Sequence, residues 1–184
     1  DRTVRAEGED YTAKKIFIAV GTEPFLPPIP GLRDIPDILT NANLFQLEKM
    51  PESLTIIGGG AIGSEMAQAF TRLGTKVSLI HMDPHLIPLG DAEAAQLLEE
   101  SFLDEGIAVH NGASIESVSI EGGQVVVKAG DIVLKSERLL VAAGRKPLLE
   151  PLKLDNAGIG YTKKGITVDS YLRTNRRHIY AVGD

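Results

Sequence analysis

The residues whose spacing carries chemistry most directly are the glycines of Gly58-Gly59-Gly60-Ala61-Ile62-Gly63. Gly58, Gly60 and Gly63 stand at the G-x-G-x-x-G spacing. In that pattern the first glycine permits a tight turn and the second lets the backbone approach a pyrophosphate. The third lets a helix pack close to a sheet. Ala61 and Ile62 then open the helix, where unpaired N–H groups and a partial positive charge suit phosphates. The ribose-reading residue of such a unit lies about 20 residues further on, at His81. An acid there would accept from a 2′-hydroxyl, and a nearby arginine would take a 2′-phosphate. The strand instead runs into His81-Met82-Asp83-Pro84-His85. A histidine can donate to a hydroxyl, or more strongly to a phosphate when protonated. It can equally be a solvated loop residue. With neither a carboxylate nor an arginine at the strand end, the sequence predicts weak discrimination between NAD and NADP. Glu65, two residues past Gly63, either compensates the helix dipole or faces the nicotinamide end of a dinucleotide.

The glycine motif has meaning only between a strand and a helix, and the flanking residues supply both. Leu54-Thr55-Ile56-Ile57 reads as a buried strand. After the turn, Ile62, Met66, Phe70 and Leu73 fall on one helical face, with Gly74 as the stop. Residues 77–80 form the next strand, Asp91 caps a helix over 92–105, and 107–110 form a third strand. Strand–helix alternation implies parallel pairing with right-handed crossovers. Residues 114–120, 124–129 and 132–135 then read as antiparallel strands, separated by Gly122-Gly123 and Gly130-Asp131. Residues 139–143 close this unit with another buried strand.

Outside that unit, residues 3–6 and 11–13 suggest a hairpin, 16–20 a buried strand, and the four prolines of 24–31 an extended connector. A short helix is expected near residues 43–49. Residues 179–182 form a last buried strand ending in Gly183-Asp184. Residues 16–24 and 139–147 repeat at an offset of 123, with identical pairs Ala19/Ala142, Gly21/Gly144, Pro24/Pro147, Leu26/Leu149 and Pro28/Pro151. The repeat suggests two related nucleotide-binding folds.

Composition narrows the function. The 184 residues are 43% hydrophobic and 24% charged, with a formal net charge of −6. That acidic balance argues against a nucleic-acid partner. The longest apolar runs have five residues, too few for a membrane span. No cysteine is present, so disulfides, thiolate metal sites and dithiol redox chemistry are excluded within these residues. No metal site is expected, and no general acid or base is identifiable. His110 and His178 read as structural or solvated. The chain starts without Met and is expected to be a piece of a longer protein.

The chain resembles the pyridine nucleotide–disulfide oxidoreductases, with dihydrolipoamide dehydrogenase, glutathione reductase and mercuric reductase among them. The likeness rests on Ala19-Val20-Gly21 with its Pro-rich connector and on residues 58–63 with Glu65 and Ala67. It also rests on Ala142-Ala143-Gly144-Arg145-Lys146-Pro147 and on Arg173-Thr174 followed by residues 179–184. Dihydrolipoamide dehydrogenase-like sequences are the nearest in pattern. The resemblance implies an α/β protein: a Rossmann-like parallel sheet with an antiparallel β-meander, flanked by remnants of an FAD-binding domain. Its expected division is 1–45 and 147–184 for the FAD segments and 46–146 for the NAD(P)-binding domain. It implies NAD or NADP as cofactor, with FAD in the full-length protein, and hydride transfer between them in a cytoplasmic homodimer. The piece itself is expected to be inactive. By resemblance, Glu65 lies near the nicotinamide and pairs with a lysine beside the flavin. Gly144 passes its backbone close to the nicotinamide, Asp184 bonds the flavin ribityl chain, and Gly21 and Arg145 join the cofactor-binding positions. Absent from these residues are the FAD-binding glycine motif, the redox cysteine pair and the dimerisation domain with its His–Glu pair. His81 also replaces the acid usual in NAD-dependent members. The alternatives are an FAD-dependent NAD(P)H oxidase or transhydrogenase without a redox disulfide, or a non-catalytic nucleotide-binding module.

Overall fold

The computed structural model describes residues 2–184. Its strands are β1 Thr3–Ala6, β2 Glu9–Thr12, β3 Ile16–Ile18, β4 Thr22–Pro24, β5 Ser53–Ile57, β6 Lys76–Ile80, β7 Ala108–His110 and β8 Ser117–Glu121. They continue with β9 Gln124–Ala129, β10 Ile132–Ser136, β11 Arg138–Val141, β12 Arg145–Pro147, β13 Tyr161–Thr162, β14 Gly165–Ile166 and β15 Ile179–Ala181. The helices are α1 Ala61–Arg72, α2 Ala92–Asp104 and the single-turn α3 Leu154–Ala157. The chain forms two compact units, Pro24–Gly144 and a discontinuous one made of the segment ending at Glu23 and Arg145–Asp184.

The Pro24–Gly144 unit is built on a parallel sheet in the order β11-β5-β6-β7. Its strands are apolar on both faces because both faces are covered. Leu54, Ile56, Val77, Leu79 and Leu140 pack with Ala67 and Phe70 of α1 and Phe102 of α2. Their neighbours Ile57, Ile80, Leu139 and Val141 point the other way, onto Val118, Val125, Val127 and Ala129. These last belong to the antiparallel meander β8-β9-β10, turned at Gly122-Gly123 and Gly130 as the glycines predict. Asp91 caps α2, its Oδ1 accepting from the N–H groups of Glu93 and Ala94 at 2.9 and 3.1 Å. Leu73, expected on the buried face of α1, is the residue following the last helical turn and is 67% exposed.

By its internal contacts the chain divides at 23/24 and 144/145. Residues 24–45 pack with the central unit because their few large apolar side chains are needed there. Leu32 and Ile35 join the meander core, and Leu39 and Leu44 join the helix-side core. Leu39 also bridges β11 in parallel, donating to Leu139 and accepting from Val141. The helix expected over 43–49 is only a 3-10 turn, Leu44–Gln46. Asn43 spends its side chain on the Thr40 N–H and the Ile38 carbonyl, which sets a tight turn instead.

In the discontinuous unit, β3 and β15 pair in parallel although 163 positions separate Ile16 from Ile179. Ile16 and Ile18 pack on a small core of Leu154, Ile159 and Ile179. Phe17 and Tyr180 lie on the opposite face, stacked with ring centroids 5.0 Å apart. β4 pairs with β12, so the two copies of the internal repeat share one geometry. Each is a strand of a parallel pair, a glycine at positive φ (Gly21 at 68°, Gly144 at 115°), then a short strand. β1 and β2 form the expected hairpin, its turn confined to Glu7-Gly8. No helix among the described residues is long and apolar enough to cross a membrane.

Candidate functional site

The sheet order makes β5 and β11 neighbours while the chain leaves β5 toward β6 and β7. The direction of winding therefore reverses between β5 and β11. In open α/β sheets, ligands bind at the carboxyl ends of strands at such a reversal. The glycine turn follows β5 there, and Ala142-Ala143-Gly144 follows β11 beside it, with the Ala142 N–H donating to the Ile57 carbonyl at 2.8 Å.

The three motif glycines stand in three different surroundings. Gly58 has φ 119° and lies against the Ala142 backbone, with the carbonyl carbon 2.6 Å from where a Cβ would sit. A Cβ on Gly63 would run into the Gly58 carbonyl oxygen, so α1 sits as close to the turn as backbones allow. Gly60 is unlike both. Its φ of −74° and ψ of −174° suit any residue, and nothing lies within 4 Å of its missing Cβ. Internal packing therefore leaves the space above Gly60 open. Gly60 is also the N-cap of α1 and offers no side-chain cap, and no acidic residue lies in the first helical turn. The N–H groups of Ala61, Ile62 and Gly63 precede the first helical bond, from Ser64 to the Gly60 carbonyl. The arrangement is an open, donor-rich, partially positive cradle that fits a pyrophosphate. Glu65 is exposed on the next turn of α1, past the reach of dipole compensation in the first turn.

His81 sits at the end of β6 and is 4% exposed, which excludes the solvated-loop alternative of the two the sequence left open. Its ring fills the space beneath Gly59, 2.7 Å from where a Cβ would be. Nε2 lies 2.6 Å from Asn111 Oδ1. The Asn111 amide nitrogen donates to Glu99 Oε1 at 2.9 Å, which orients the amide and makes His81 Nε2 the donor. Glu99 also accepts from the Leu86 N–H at 2.8 Å. Nδ1 of His81 is buried without a hydrogen-bond partner, 3.9 Å from an Asp83 carboxylate oxygen. The loop after β6 is tied to the glycine turn by the Ile87 N–H, which donates to the Gly59 carbonyl at 2.7 Å and holds Ile87 at φ 47°. Asn111 and Glu99 were not singled out by sequence, since their role depends on contacts 30 and 12 residues apart.

Gly21, Arg145 and Asp184 are brought together in the discontinuous unit. Arg145 donates through Nε to the Thr22 hydroxyl and through Nη2 to the Thr22 carbonyl, and its Nε lies 4.0 Å from the Asp184 carboxylate. Gly21 accepts from the Leu148 N–H. Gly21 and Asp184 line one concavity, with Val20, Leu149 and Lys164.

A family model described as pyridine nucleotide-disulphide oxidoreductase matches residues 1–184. The chain belongs to that family. It is 34% identical over 189 residues to a mercuric reductase of Staphylococcus aureus, covering 100% of this chain and 34% of the relative. It is 37% identical over 190 residues to a dihydrolipoyl dehydrogenase of Bacillus subtilis, covering 100% and 41%. Among solved structures, the HOCl-induced flavoprotein disulfide reductase RclA from Escherichia coli superposes with a TM-score of 0.93 at 33% identity, covering 100% of this chain and 42% of that one. The chain thus spans between a third and somewhat over two-fifths of the length of these members. The α/β architecture with a parallel sheet and antiparallel strands is the one expected from sequence.

Proposed function

We propose that the Pro24–Gly144 unit binds the nicotinamide dinucleotide of an FAD-dependent oxidoreductase, with the discontinuous unit supplying part of the flavin site. Family membership supports the flavoenzyme reading, and the 37% identity to a dihydrolipoyl dehydrogenase supports chemistry of that kind. The observation that carries the binding assignment is Gly60, a motif glycine whose missing side chain nothing inside the protein requires. The turn at residues 58–60 and the first N–H groups of α1 hold the pyrophosphate. Gly63 keeps α1 close enough for those groups to reach it, and Gly144 lines the neighbouring strand end. Glu65 presents a carboxylate toward the nicotinamide half, and Arg145 orients Thr22 and Asp184 for the flavin. When bound, the nicotinamide and the flavin supply the hydride transfer; this chain's residues supply position and charge. A cytoplasmic homodimer, without nucleic acid or membrane, completes the proposal, and the 184 residues alone bind without turning over. The test is titration calorimetry of the chain with NADH and NADPH. Saturable binding with one site per chain is expected, and heats no larger than dilution for both would refute the assignment.

A further inference from the structure

We infer that Glu99 of α2 is a positioning residue for the pyrophosphate: from its Oε1, two routes of contact converge on the Gly59–Gly60 peptide of the glycine turn. The inference rests on the dinucleotide reading above and names what sets the shape of that same site. Glu99 stands where an apolar residue is expected. It lies on the stripe of α2 that buries Ala95, four residues before it, and Phe102, three residues after it. A carboxylate on that face is costly unless it is bonded. Its bonds fall on one oxygen, Oε1, which accepts from the Leu86 N–H at 2.8 Å and from the Asn111 amide nitrogen at 2.9 Å.

The first route runs through the loop after β6. Ile87 stands at φ 47°, a strained conformation for a β-branched residue. Glu99 fixes the residue before it. The Ile87 N–H then donates to the Gly59 carbonyl at 2.7 Å, and the Ser64 hydroxyl adds a longer bond of 3.4 Å. In a trans peptide the carbonyl and the following N–H point in opposite directions. Holding the Gly59 carbonyl toward the loop therefore turns the Gly60 N–H away from it. That N–H has no partner among the described residues. The second route runs through the end of β6. Glu99 orients the Asn111 amide, Asn111 Oδ1 accepts from His81 Nε2, and the imidazole is held against Gly59. Gly60 does not set its own direction: nothing lies within 4 Å of its missing Cβ, and two adjacent glycines restrict the chain little. Gly58 and Gly63 are fixed by backbone contact, so the peptide between them is the part of the turn that depends on Glu99.

The experiment is a set of dissociation constants for NADH and for ADP-ribose, which keeps the pyrophosphate and lacks the nicotinamide. They are measured by calorimetry on the full chain, Glu99→Ala, Glu99→Asp and Glu99→Gln, at a temperature where thermal melts show each protein folded. Glu99→Asp keeps the charge but falls one methylene short. Glu99→Gln keeps an oxygen at the same reach without the charge. Glu99→Ala and Glu99→Asp are expected to bind both ligands on the order of tenfold to a hundredfold more weakly, the scale of one well-aligned charge-assisted hydrogen bond. Glu99→Gln should bind like the original chain. If Glu99→Ala does not fold, Glu99→Asp and Glu99→Gln carry the comparison. Unchanged constants in the alanine and aspartate variants, with only a lower melting temperature, overturn the positioning role and leave Glu99 a structural residue. A glutamine variant as weak as the aspartate one overturns it too, as does a loss confined to NADH. Binding of neither ligand by the original chain overturns the glycine-turn site itself, and this assignment with it.

Discussion

Replacing Gly60 with valine separates what the glycine does for folding from what it does for a ligand. In folding terms the site is permissive: φ −74° and ψ −174° are ordinary for a β-branched residue, and no atom lies within 4 Å of the new Cβ. Valine is a poorer N-cap than glycine, at a cost on the order of 0.5–1 kcal/mol. Removing a glycine from the unfolded ensemble returns about 0.4–1 kcal/mol. The net change in unfolding free energy is therefore within about 1 kcal/mol. For a pyrophosphate the same substitution puts an isopropyl group over the N–H groups of Ala61 and Ile62. Losing two charge-assisted hydrogen bonds at about 1.5–3 kcal/mol each weakens binding by about 3–6 kcal/mol. That is on the order of a hundredfold to ten-thousandfold in the dissociation constant. Urea unfolding and NADH calorimetry on both proteins read the two effects. Equal NADH affinity would refute the reasoning, as would a loss of affinity accompanied by a collapse of the fold.

The third glycine should behave in the opposite way. Gly63→Ala drives a methyl into the Gly58 carbonyl and should destabilise the unit by about 1–3 kcal/mol, visible as a lower urea midpoint before any ligand is added. Glu99→Ala leaves the Leu86 N–H and the Asn111 amide without their acceptor. A loss of about 1–3 kcal/mol is expected, with faster amide hydrogen exchange at Leu86 than in the original chain. The Arg72 guanidinium, bonded to Glu105 at 2.7 and 2.8 Å, holds that carboxyl below the usual carboxylate range, with Gln68 adding a further bond. A carboxyl lowered in the folded state contributes fully above its ordinary value and loses that contribution as pH falls through the lowered one. The stability gap between the original chain and Glu105→Gln should therefore shrink as pH falls below about 4.3, the ordinary glutamate value. A gap that widens on acidification would contradict the pairing.

What could be read from sequence was what depends on near neighbours. Asp91 starts α2 because its carboxylate reaches N–H groups two and three residues on. Gly122 and Gly123 turn the meander because both take positive φ. The glycine motif announced the tight turn at Gly58 and the close approach of α1 at Gly63. Contacts that cross the fold were not readable in this way. Whether His81 is buried depends on Asn111, 30 residues later, and on Glu99 across α2. Neither residue type signals that partnership from its local sequence. The packing of the connector was hidden for a related reason. Four prolines identify an extended segment, but nothing in them says that Leu39 will lie along β11 and bury itself in the central core. The repeat at 123 residues was the exception, a long-range relation visible because the same residues recur in the same order.

The Phe25 N–H donates to the Gly144 carbonyl at 3.0 Å, so the central unit begins and ends at one point in space. A segment whose ends meet can be spliced into a host strand pair without displacing either side. The host needs only to bring its own two strands, β4 and β12, into register, which it does by pairing them directly. Such an insert places no length constraint on its carrier. Its loops can grow or shrink, and its ligand preference can drift, while the discontinuous unit keeps the same spacing between its halves. Insertions of this kind succeed where both termini lie together, as the ends of this unit do.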